Sequence, residues 1–129
     1  MKKIKFFNAP FQKIQKNFDA FIKPVIDSNK RFDDSVLMHY NSTNKIFTDS
    51  LNKIKTFNIK RLLDKKIQFI INNPSSYFSL YEFSTSIVTT STLCSADRLY
   101  AVFLNFSAKL KTTELGKEVY IVIKKKKAL

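Results

Sequence analysis

Five apolar residues in succession, Val119, Tyr120, Ile121, Val122 and Ile123, have no polar position between them. Such a run has high strand preference and, lacking alternation, predicts a strand covered on both faces. Gly116, the only glycine in the chain, stands just before it as a natural break. Upstream, Leu99, Val102, Phe103, Phe106 and Leu110 recur at helical spacing, with Ser95 and Asp97 supplying capping chemistry at the start. Downstream come Lys124, Lys125, Lys126 and Lys127. A helix, a glycine turn, a buried strand and four lysines need a sheet to join and an anion to meet.

At 129 residues the chain is long enough for one modest core, and 44% hydrophobic content with 13 Phe and 5 Tyr supplies the material for it. Lys and Arg number 23 against 10 Asp and Glu, a balance of +13. That excess predicts attraction to polyanions and a salt-sensitive association, with nucleic acid the leading partner and an anionic membrane the second. Residues rich in AT codons crowd the chain while Gly, Ala, Arg and Pro are scarce, which marks an AT-biased gene. Such bias replaces Arg by Lys but does not set the ratio of base to acid. The opening MKKIKFFNAPF has a basic start but too short an apolar run for a cleaved signal, and no stretch approaches the length of a membrane span. Synthesis inside an AT-rich organelle, parasite, endosymbiont or virus is the expectation.

Along the chain, Phe11, Ile14, Phe18, Phe21 and Ile22 predict an amphipathic helix that opens at Pro10 and is broken by Pro24. Phe32, Val36 and Leu37 suggest a short second helix, residues 41–44 a turn, and Ile46, Phe47, Leu51 and Ile54 a further helix, with Ile59, Leu62 and Leu63 adding another turn or two. From Lys66 the period changes. Ile67, Phe69 and Ile71 alternate with their neighbours and Asn72-Asn73-Pro74 ends the run, so a strand is expected, in competition with a helix continuing from Ile59. Residues 77–83 and 84–92 make two more strand candidates, the second with seven Ser or Thr among nine residues. Charge follows the same division: +9 over residues 1–66, −1 over 67–108 and +5 over 109–129. The reading is a helical basic extension over residues 1–65 and an α/β domain over 66–129.

Catalysis and metal binding have little support. Cys94 and His39 are each the only residue of their kind, which rules out a disulfide within the chain and any zinc spacing. Cys94 reads as a small core residue, and Asp33-Asp34 near His39 as a solvated patch. One glycine cannot build a phosphate-cradling loop. No enzyme, no cofactor and no small-molecule substrate are expected.

The strings KIQFIINN (residues 66–73), SIVTTSTL (86–93) and SADRLYAVFLNFSAKLKTTELGKEVYIVIK (95–124) together resemble the small-subunit ribosomal protein eleven family. Ile67-Gln68 and Asn72-Asn73 match its first strand, 89–92 a later strand end, Ser95 the helix start, and Leu115-Gly116-Lys117 with 119–123 the last strand. Thr90-Ser91-Thr92-Leu93 is also similar to a strand end of the large-subunit ribosomal protein eighteen family, a close rival. Both resemblances imply a mixed β-sheet packed on helices, with the helix from Ser95 as a right-handed crossover. Both also imply a structural protein that binds ribosomal RNA beside neighbouring ribosomal proteins and off any membrane; the first family implies the small subunit, and the AT bias makes an organellar (mitochondrial) ribosome the expected setting. Lys66, Lys109, Lys111, Lys117, Lys124, Lys125, Lys126 and Lys127 would then neutralise phosphate, and Asn72 and Asn73 would offer hydrogen bonds. The alternative from another class is a structural subunit of a viral or organellar assembly, joined through the helices of residues 10–63.

Overall fold

Leu63, Ile67 and Ile70 lie four and three residues apart, so a helix brings all three to one side, and the computed structural model shows them together in the core. They belong to the second of two long helices, α1 (Ala9–His39) and α2 (Lys45–Asn72). A short α3 (Tyr77–Glu82) runs without interruption into a π-helical turn over Phe83–Val88, and α4 (Ala96–Asn105), α5 (Ala108–Lys111) and α6 (Glu114–Ala128) follow. The structure describes residues 8–39 and 45–128. The turn expected at 41–44 lies outside them.

Among the described residues there is no strand, which corrects the α/β expectation and its crossover. Each predicted strand is helical for a reason that can be named. Residues 67–71 continue α2, because Ile67 and Ile70 face the main core while Phe69 turns to an aromatic cluster, a helical division of faces. Residues 77–83 form α3 and enter the π turn. The Ser and Thr of 84–92 bond back along the chain: the Thr85 hydroxyl donates to the Tyr81 carbonyl (2.9 Å), Thr90 to Ser86 (2.8 Å) and Thr89 to Ser84 (3.0 Å). These bonds satisfy the polar side chains locally, so no neighbouring strand is needed. Residues 119–123 lie inside α6, where Val119 and Ile123 are buried and Tyr120 and Ile121 are exposed.

The core has two parts. The larger gathers Leu63, Ile67 and Ile70 of α2 with Leu80, Phe83, Ile87 and Val88, then Leu99, Val102 and Phe103 of α4, and Val119 and Ile123 of α6. The smaller is aromatic: Phe11 and Phe18 of α1 meet Phe69 and Phe78, with ring centroids 5.2 Å apart in near edge-to-face pairs. These rings tie α1 to the rest of the chain. The boundary drawn between residues 65 and 66 falls inside α2, at the start of its last quarter.

Two expectations at the breakers are revised. Pro24 sits inside α1, exposed, and the helix continues past it to His39. The interior proline forfeits one backbone hydrogen bond, and packing on both sides keeps the helix: Phe18 and Ile22 before it, and after it Asn29, whose amide donates to the Asn58 carbonyl of α2 (3.2 Å). Gly116 is likewise in a helix, in the first turn of α6, without a positive φ. A Cβ there would press on the Leu110 carbonyl oxygen and come within 2.7 Å of the Lys111 carbonyl oxygen, so its role is to let α5 approach, not to turn the chain.

Candidate nucleic-acid interface

α6 begins at a capped end. The Thr113 hydroxyl accepts the Gly116 N–H (3.1 Å) while donating to the Leu110 carbonyl (2.6 Å), which fixes the angle between α5 and α6. Gly116, Val119 and Ile123 then form the buried stripe. The helical period sends Lys117, Tyr120, Ile121 and Lys124 to a neighbouring face, where all four are exposed. α4 lies beside α6, itself capped by the Ser95 hydroxyl, which accepts the Arg98 N–H (3.2 Å). Arg98 pairs with Asp64 of α2 (2.8 Å), an exposed contact between the two helices.

Where α4 and α6 meet, aromatic rings and ammonium groups interleave. Tyr120 packs at a tilt on Phe103 (5.8 Å between centroids) and Tyr100 (6.5 Å). The Lys124 ammonium lies 5.9 Å from the Tyr100 centroid and 5.8 Å from that of Tyr120, and Lys127 lies 4.5 Å from Tyr100. Lys127 also approaches the Asp97 carboxylate at 3.7 Å, a pair so exposed that it holds the ammonium only loosely. Below this group, Phe103, Lys111, Lys117, Tyr120 and Ile121 line an open groove of about 420 Å³. The face therefore offers cations, flat aromatic surface and an apolar recess side by side.

The ten residues expected to touch RNA separate into groups. Lys111 and Lys117 line the groove with Tyr120, Lys124 lies near both Tyr100 and Tyr120, and Lys127 lies near Tyr100. Lys125 is exposed on the same helix and Lys109 on α5. Lys126 is half-buried, and its ammonium donates to the Val88 carbonyl at the end of the π turn, an internal role. Lys66 is half-buried on α2, outside this group. Asn73 uses its amide to cap α2 through the Phe69 carbonyl (2.9 Å), and Asn72, the last residue of α2, is exposed. Tyr100 and Tyr120 were not singled out from sequence. The signal was there in the spacing Lys117, Tyr120, Ile121, Lys124, one face of a helix, but β preference led the other way.

Elsewhere chemistry is sparse. Among the described residues no group of acids, His and Cys could hold a metal ion. Cys94 is buried, and desolvation pushes its thiol pKa up, away from the reactive thiolate. Asp33 and Asp34 are exposed on α1, and the His39 side chain lies outside the description. No described helix is long and apolar enough to cross a membrane. Comparisons with protein-family models, with curated proteins and with solved structures return no match.

Proposed function

We propose that this chain is a non-enzymatic RNA-binding protein whose contact surface is the face shared by α4, α5 and α6. The observation that carries the proposal is a run of cations beside aromatic rings: Lys111 and Lys117 line a groove with Tyr120, Lys124 lies near both Tyr100 and Tyr120, and Lys127 lies near Tyr100. Ammonium groups neutralise phosphates and release counterions, while the net +13 of the whole chain draws a polyanion in from a distance. Interleaved aromatic rings give an RNA something to rest on that a purely basic tail does not. Ribosomal RNA and a mitochondrial ribosome were expected from a resemblance that ran through strands. With those segments helical, support for the proposal comes from charge and geometry alone.

The test is a salt titration of binding to a short labelled RNA. Four phosphate contacts to a single strand give a slope of about −2.8 in log K against log salt, so affinity should fall roughly 50-fold between about 50 and 200 mM. Affinity independent of salt would refute the proposal. A second reading, that the chain is a structural subunit of an assembly, is favoured by exposed apolar residues on the N-terminal half of α2: Phe57 is 63% exposed, Ile59 57% and Ile54 44%. Association through that half would be apolar and would persist at high salt.

A further inference from the structure

From the groove beside Tyr120 we infer which form of RNA this face takes: the groove of Phe103, Lys111, Lys117, Tyr120 and Ile121 accepts an unpaired nucleobase, so the partner segment is single-stranded. The inference rests on the proposed RNA binding and deepens it. The floor is apolar and open, with Tyr120 39% and Ile121 52% exposed, and about 420 Å³ falls within the range of small-ligand sites. Among the described residues no carboxylate lines it, and the only charges on it are two lysines, from the end of α5 and the first turn of α6. A flat aromatic ligand carrying an adjacent anion matches that lining: the base covers Tyr120 and Ile121 while the phosphate meets Lys111 or Lys117.

Pre-organisation supports the same reading. Tyr120 is held by Phe103 and Tyr100, and Lys124 lies close to the ring, so little side-chain entropy remains to be lost when a base stacks. A duplex keeps its base faces inside the stack and presents phosphates, so it would use the lysines and leave the groove uncovered. A single strand uses both.

The experiment compares three ligands with the full chain by fluorescence anisotropy: a twelve-nucleotide oligouridylate, an RNA duplex of equal length, and polyglutamate as competitor. Expected is tighter binding of the single strand than of the duplex. Tyr120→Ser should weaken the single strand by about tenfold or more and leave the duplex unchanged, while Tyr120→Phe, which keeps the ring, should bind like the parent. Unchanged circular dichroism would confirm that both variants fold. If Tyr120→Ser affects neither ligand, or both equally, the base site is overturned while RNA binding stands. If polyglutamate displaces the single strand as well as free oligouridylate does, the face is a general polyanion surface and the base site is again overturned. If neither RNA binds at low salt, the proposed function itself fails.

Discussion

Aspartate placed at Ile121 and at Ile123 separates the helical from the extended reading of this segment. In a strand covered on both faces either carboxylate would be buried. In α6, Ile123 is fully buried at 0% exposure and Ile121 is 52% exposed. Removing the Ile123 side chain forfeits about 2 to 5 kcal/mol of packing, and an unpaired carboxylate in the same place adds several more. The sum rivals the whole stability of a domain this size, about 5 to 15 kcal/mol. At Ile121 the change should fall within about 0.5 kcal/mol. Lys117 one turn before and Lys125 one turn after can each return about 0.2 to 0.5 kcal/mol to an aspartate there. Soluble yield and thermal melting by far-UV circular dichroism read the outcome. Ile121→Asp should fold and melt near the parent, and Ile123→Asp should fail to fold. Failure of Ile121→Asp, or cooperative melting of Ile123→Asp, would refute the helical phase of α6.

Gly116→Ala should be destabilising although alanine is the better helix former: crowding against α5 carbonyls removes about 1 to 3 kcal/mol against a propensity gain of about 1. The net loss of up to about 2 kcal/mol should lower Tm by up to about 8 °C, and a rise would contradict the close approach. Ser95→Ala removes the cap on α4 and should lower Tm by about 4 °C, from about 1 kcal/mol; an unchanged Tm would show that cap to be idle. Because burial raises the Cys94 pKa, the folded chain keeps its thiol neutral, and that stabilisation is complete below the unfolded thiol pKa and fades as pH climbs above it. The urea midpoint should therefore drop as pH rises past the ordinary thiol pKa of about 8.5, and drop less in Cys94→Ala.

What was legible in the sequence was the local chemistry with a helical period. The stripe Leu99, Val102, Phe103, Phe106 and Leu110 is buried throughout, and Ser95 caps its start. Even there, Phe106 leaves helical geometry and divides the expected helix into α4 and α5. The 119–123 run misled because five apolar neighbours fit a buried strand as well as a helix that buries only Val119 and Ile123. The propensity penalty for Val and Ile in a helix is at most about 0.7 kcal/mol per residue, less than the packing each gains in the core. At 67–71, short-range alternation hid the interval linking Leu63, Ile67 and Ile70. The basic charge was plain, yet its division was not: Lys126 turns inward to Val88 and Lys124 outward over two tyrosines, a difference set by helical phase.

The most direct test of the interface is the salt dependence of RNA binding by a chain with Lys111, Lys117, Lys124 and Lys127 all changed to Gln. These side chains are mostly exposed, so folding should be nearly unaffected. Loss of four phosphate contacts should flatten the slope of log K against log salt by about 2.8 for a single-stranded RNA and weaken binding at low salt. A slope and affinity equal to those of the parent would place the RNA contacts elsewhere and contradict the interface.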